Sequence, residues 1–350
     1  MNIDLSGNRI RKLVSQLVST DLIEQRLKKY PEIACHFSEH IEKCCAEKRY
    51  CHQMAWRLGT WTSEHIFGRL DKLLGLVKAM PGWSGERGLL ANPQYSNFWS
   101  LIWQLQVAEW LVSLGFSPKW NNPGPDLTVE VDGQRVWLEC YSTVGLYEPV
   151  EFLGEILPAI HPDLKVAYAA SGKSAAVDGA LLESCVVTVE SELPAAVEKA
   201  HTGKWPILLY ASPDDGAISV RLYGDDIDHY DPSLDCGHTL DFEGHFRRAL
   251  HQAFRGKIGK NALANNRPNV VMVNLVVNEL FQLSVDPVRH LSERPRALIP
   301  SNVVTGSPDL DGVIWSMTGI DEKLTTKSSQ CVWKQLAHPL RTSVERGSAA

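Results

Sequence analysis

The sequence predicts an α/β domain preceded by an all-helical N-terminal region. Three observations carry this. Apolar residues recur at helical spacing through residues 1–90. An Asp132-Gly133 pair stands between two alternating runs, the signature of a tight hairpin. A dense apolar run, Val270 to Val277, is of strand length and follows a stretch with helical character. Strands and helices mixed in one segment imply a layered α/β arrangement.

Taken in order, the first region opens with Thr20-Asp21 before Leu22-Ile23, and Glu24 stands three residues after Asp21 in a capping-box pattern. Leu70, Leu73, Leu74 and Val77 then share one helical face. Pro81-Gly82, Ser84 to Gly88 and Asn92-Pro93 break the pattern, so a domain boundary is expected there. Phe98 to Leu114 reads as an apolar helix closed by Gly115, and strands follow at Asp126–Val131 and Gln134–Tyr141. A poorly periodic region reaches about residue 204. Strands are expected at Ile207–Ala211, Ala217–Tyr223, Val270–Val277 and Gly312–Met317, and a helix at Phe242–Leu263. The division is then 1–90 helical, 95–325 α/β, and 326–350 a C-terminal segment with a loose tail.

Composition bounds the function. With 44% hydrophobic and 22% charged residues in a chain of 350, wholesale disorder is excluded. No apolar run approaches the ~20 residues of a membrane span. Met1-Asn2-Ile3-Asp4 has no basic region followed by an apolar stretch, so a cytoplasmic location is expected. Eight cysteines in a chain this long are not a disulfide framework. A net charge of −6 argues against a general nucleic-acid coat but leaves room for a local basic groove.

The hairpin is the most informative stretch. A two-residue turn at Asp132-Gly133 sets Val131 against Gln134, Glu130 against Arg135 and Val129 against Val136. Continued outward, Asp126 falls opposite Glu139. One face collects Leu127, Val129, Val131, Val136 and Leu138; the other collects Asp126, Thr128, Glu130, Arg135, Trp137 and Glu139. Two opposed carboxylates repel unless one is protonated or a cation lies between them. A hard divalent ion such as Mg²⁺ takes such oxygen ligands. The alternative is a pair of acids fanning into water from a strand end.

At this point the chain resembles the PD-(D/E)XK nuclease superfamily, which has a restriction-endonuclease-like mixed sheet flanked by helices. The resemblance rests on Pro125-Asp126, on Glu139-Cys140-Tyr141 at the end of the next strand, and on the helix around Trp103 to Leu111. It is continued by Lys257-x-x-Lys260, then Arg267-Pro268-Asn269 and the strand from Val270. It covers roughly residues 95–280. It implies hydrolysis of phosphodiester bonds, in DNA before RNA, with Mg²⁺ or Mn²⁺ held by Asp126 and Glu139.

Two positions depart from the family pattern. Tyr141 occupies the lysine position, and a phenol with a pKa near 10 carries no positive charge at neutral pH. Family members often carry an acid near the place of Gln104 or Gln106; Gln104 shares a helical stripe with Ala108 and Leu111 and is the better aligned, and nearby Glu109 need not face the site. A basic helix offers replacement charge. Between Phe242 and Arg267, six basic residues including Arg255, Lys257, Lys260 and Arg267 face one acid, a net of about +5. On this reading Lys260 joins Asp126, Glu139, Tyr141 and Gln104 in the site, while Arg255, Lys257, Lys260 and Arg267 contact nucleic acid.

Other constellations read as structure. Cys35, His36, His40, Cys44, Cys45, Cys51 and His52 crowd together, and His36, His40 and Cys44 share a helical face. The spacing matches no standard zinc pattern, so buried thiols and surface histidines are the simpler reading. Nine acids and one base lie between Pro213 and Glu243, with no glycine-centred calcium loop to frame them. Cys140 points to the apolar face and has no paired histidine, so it is not a nucleophile. Three function classes follow: a nuclease, a catalytically inactive nuclease-fold module that binds nucleic acid or a partner, and an interaction protein working through its N-terminal helices.

Overall fold

The structure is a computed structural model that describes residues 18–47, 53–60, 64–83, 95–121, 125–142, 165–170, 179–200, 207–211, 218–223, 266–274, 310–316, 318–319, 322–325, 329–334 and 338–349. The N-terminal region is helical, as its periodicity predicts: α1 (Thr20–Lys29), α2 (Pro31–Glu47), α3 (Gln53–Thr60) and α4 (Glu64–Val77). The N-cap of α1 is Ser19, whose hydroxyl accepts from the Leu22 amide at 3.2 Å, so the cap lies earlier than the expected Asp21. In α2, Ile33, Phe37, Ile41 and Cys44 form one buried stripe, and in α4 Phe67, Leu70, Leu73, Leu74 and Val77 form another. These stripes face each other across the helical core.

The next helix, α5 (Tyr95–Ser113), is buried all round its middle turns. Residues Leu101 to Ala108 are all buried, which is what a helix sandwiched between two layers requires. One side packs on α4 and the other on the sheet, where the Trp103 indole donates to the Met272 carbonyl at 3.0 Å. Gly115, at φ +87°, follows its last turn in the left-handed conformation expected of the helix stop.

That sheet has six strands. In chain order they are β1 (Lys119–Trp120), β2 (Leu127–Val131), β3 (Gln134–Ser142), then, beyond a smaller unit, β7 (Asn269–Asn274), β8 (Gly312–Ser316) and β9 (Ser329–Trp333), laid side by side in that sequence. The first three are antiparallel, β3, β7 and β8 run parallel, and β9 returns antiparallel. Central β7 is buried at every residue, the reason its sequence is a continuous apolar run rather than an alternating one. The smaller unit comprises β4 (Lys165–Ala170), α6 (Gly179–Ala200), β5 (Ile207–Ala211) and β6 (Ile218–Tyr223), with strand order β4-β6-β5 and α6 against β5.

The chain is therefore a mixed α/β structure, and its described residues between 18 and 83 form helices and their connections. The sheet runs past residue 325: β9 completes it, and the expected loose tail is instead α7 (Pro339–Ala349). Leu340 and Val344, one turn apart, bury the face of that helix.

Candidate metal and nucleic-acid site

The hairpin forms as its sequence dictates. Asp132 and Gly133 take φ of +50° and +76°, both positive, as the two-residue turn requires. The register is Val131 to Gln134, Glu130 to Arg135, Val129 to Val136 and Leu127 to Leu138. The paired ladder ends there, and Asp126 and Glu139 are the next residues along each chain.

Alternation along β3 assigns the faces. Val136, Leu138 and Cys140, with Val270, Met272 and Ile314 on the neighbouring strands, belong to the core shared with α5. Trp137, Glu139 and Tyr141 project from the other face, beside Val271 and Val273. Glu139 is 1% exposed, so its carboxyl group is almost wholly withdrawn from water. Thr128 is buried on the same face, a departure from the solvated strand end that was the alternative reading.

Asp126 lies one residue before β2 and is fixed from several sides. Its carbonyl accepts from the Asn121 amide at 3.2 Å, and the Asn121 side chain donates to the Pro125 carbonyl at 3.0 Å. Its Oδ2 accepts from the Cys140 backbone amide at 2.8 Å. The carboxylate thus reaches across to β3 and takes the rung that β2, ending at Leu127, no longer supplies. This bond is the feature that sequence reasoning missed, since cross-strand spacing places Cβ atoms and says nothing of where a carboxylate leans.

Tyr141 is half-buried, and burial pushes its phenol up to about 12. It stays neutral across the physiological range. Gln104 is 2% exposed, and its Oε1 has no hydrogen-bond partner among the described residues. It rises from α5 on the Cys140 side of the sheet, opposite Glu139. Gln106 donates to the Gly319 carbonyl at 2.6 Å, and Glu109 pairs with Arg69, so neither is directed at Glu139.

Of the basic residues, Arg255, Lys257 and Lys260 lie outside the described residues. Arg267 is described, and its charge is engaged within the chain. Its Nε donates to Asp311 Oδ2 at 3.0 Å and a terminal nitrogen to Oδ1, while its side chain remains 43% exposed. Asp311 also accepts from the Asn269 amide, and its own amide donates to the Asn269 side chain at 3.1 Å. Burial pushes the Asp311 carboxyl up, but the Arg267 and Asn269 hydrogen bonds outweigh it and hold the group below its usual range.

The Cys/His group on α2 is partly visible; Cys51 and His52 lie outside the described residues. Cys44 is buried in the helical core and Cys35 is exposed. The close set is Glu32, Cys35 and His36, with ligand atoms within 4.8 Å of one another. Two of its three ligand groups, Glu32 and His36, already have partners. Lys78 Nζ stands 3.1 Å from both Glu32 oxygens. An indole N–H only donates, so His36 Nε2 accepts from Trp83 at 3.1 Å, leaving Nδ1 to donate to the Glu32 carbonyl at 2.7 Å. The set therefore ties α2 to the turn that follows α4.

Among the described residues, no helix is long and apolar enough to cross a membrane. Comparisons with family models, with curated proteins and with solved structures find no match for this chain. The fold is that of a mixed α/β protein, with Asp126 and Glu139 next to the last paired residues of a β-hairpin.

Proposed function

We propose that the chain is a metal-dependent nuclease-fold protein that hydrolyses phosphodiester bonds of DNA, on a restriction-endonuclease-like arrangement of its sheet and helices. The observation that carries this is the Asp126 carboxylate bonded to the Cys140 amide, next to the buried Glu139. The order of α5, the hairpin and the parallel strand β7 supports it, since these are the pieces in which the sequence resembles that superfamily.

The two acids fit a hard cation. Both offer oxygen donors, and a carboxylate that accepts one amide bond has further lone pairs for a metal. Mg²⁺ or Mn²⁺ bound there would supply Lewis-acid polarisation of the phosphate and a more acidic water. The chain's own part is to fix the donors: Asp126 by its bonds to Cys140 and Asn121, Glu139 by its place in a central strand. Tyr141 supplies no charge. Lys260, with Arg255 and Lys257, is the proposed source of positive charge for the phosphate backbone. Plasmid and linear DNA incubated with Mg²⁺ or Mn²⁺ test the proposal. Cleavage that disappears in Asp126→Ala and Glu139→Ala supports it; identical trace activity in all three proteins refutes it.

The second reading is a catalytically inactive module of the same fold that binds nucleic acid or a protein partner. It is favoured by the neutral Tyr141 in the place of a cation. Salt-dependent DNA binding without cleavage selects it, and no binding at any ionic strength sinks it.

A further inference from the structure

We infer that Asp126 acts in the proposed site as the positioning residue for Glu139, through the Cys140 amide, a role distinct from any ligation by its charge. The inference rests on the reading just given. The β2–β3 ladder ends at Leu127 and Leu138 among the described residues, and the Cys140 amide lies two residues beyond it. Asp126 Oδ2 accepts from that amide at 2.8 Å. On the other edge, β7 runs beside Glu139, Cys140 and Tyr141 in parallel register. The peptide that joins Glu139 to Cys140 is thereby held from both sides.

The consequence falls on Glu139. Its carboxyl group is buried to 1% exposure on a face whose neighbours Val271 and Val273 are apolar. A buried carboxyl group in such surroundings binds a cation well only if its backbone does not drift, because ligand geometry must hold to within a fraction of an ångström. The Asp126 bond restrains that backbone at the adjoining peptide nitrogen. A neutral acceptor of the same shape serves the restraint equally well, which separates position from charge.

The test compares wild type, Asp126→Asn and Asp126→Ala, with thermal melts to show that each is folded. Asparagine keeps an acceptor oxygen and loses the charge; alanine loses both. Hydrogen exchange of the Cys140 amide is read without metal, and Mn²⁺ affinity by calorimetry. The Cys140 amide is expected to exchange about tenfold faster in Asp126→Ala and at the wild-type rate in Asp126→Asn. Mn²⁺ affinity is expected to fall in the order wild type, Asn, Ala, with about tenfold between the two variants. Unchanged Cys140 exchange in Asp126→Ala overturns the inference. So do equal Mn²⁺ affinities of the two variants, and in that case the metal site itself still stands. Wild type that takes up no Mn²⁺ overturns the functional reading and the positioning role together.

Discussion

Arg69 on α4 and Glu109 on α5 meet guanidinium to carboxylate, with Arg69 Nη1 2.6 Å from Glu109 Oε1 and the second terminal nitrogen on the other oxygen. The side chains are 10% and 21% exposed, and Arg69 also donates to the Glu322 carbonyl at 3.4 Å. One residue thus ties the helical region to the helix that supports the sheet and to the loop beyond β8. Paired geometry of this kind adds direction as well as attraction. Removing one partner leaves the other poorly solvated. Arg69→Met or Glu109→Gln is expected to cost about 2–3 kcal/mol in urea unfolding, and the double variant less than the sum. Strict additivity of the two losses would show that the pair contributes nothing as a pair.

Two glycines at similar φ separate backbone strain from steric conflict. Gly133, at φ +76°, has open space where a Cβ would stand. Gly133→Ala is therefore expected to cost only the conformational penalty, about 1–2 kcal/mol. Gly82, at φ +82°, would place a Cβ 2.2 Å from the Trp120 carbonyl oxygen. That backbone cannot move aside freely, because the Trp120 amide donates to the Pro81 carbonyl at 3.0 Å and its ring packs on Trp83. Gly82→Ala is expected to lose more than twice as much stability as Gly133→Ala in denaturant midpoint at equal slope. Equal losses would mean that the β1 contact yields.

Acid should act on the helical region through Glu64. Hydrogen bonds from Lys29, Tyr30 and Arg26 lower its carboxyl from 4.5 to about 2. A folded-state value below the unfolded one adds stability above pH 4.5, and that stability is lost as pH falls toward 2. Asp311, also held below its usual range, works in the same direction. Urea midpoints measured at several values from pH 7 to pH 2.5 should fall with acid in wild type. Glu64→Gln should start lower at pH 7 and fall less steeply. Parallel profiles for the two proteins would remove Glu64 from the account.

What was legible in the sequence, and what was not, has physical causes. The hairpin could be read because Asp132-Gly133 fixes two positive φ values, and these fix the register of every rung. The α4 stripe was legible because Leu70, Leu73, Leu74 and Val77 repeat at 3.6 residues. Helix α6 was hidden by its β-branched run Val186 to Val189 and by Pro194 within it, both weak in helix propensity. Strand β1 has two residues, too few for a pattern. The Arg267–Asp311 pair joins positions 44 residues apart, and no local signal foretells it. In the site, the turn extends the register only as far as Leu127 and Leu138, while the bond of Asp126 to Cys140 depends on a side-chain direction that only the folded chain defines.

Tyr141 bears on the site through what it does not do. Burial raises its phenol from 10 to about 12, so it is uncharged wherever the chain functions near neutrality. Its neutral form is favoured by folding: the stability it adds is whole below pH 10 and is lost as pH rises toward 12. Cys185 and Cys331, also pushed up to about 12 by burial, add to the same alkaline slope. Tyr141→Phe should therefore flatten, without abolishing, the loss of stability between pH 10 and 12, read as urea midpoints. It should leave unchanged the pH profile of any DNA cleavage between pH 6 and 9, since no phenolate forms there. Tyr141→Lys places an ammonium group two residues from Glu139 on the same face and is expected to increase cleavage with Mg²⁺ at pH 8. A cleavage profile that shifts in Tyr141→Phe would show the phenol ionising near neutrality and would contradict its burial.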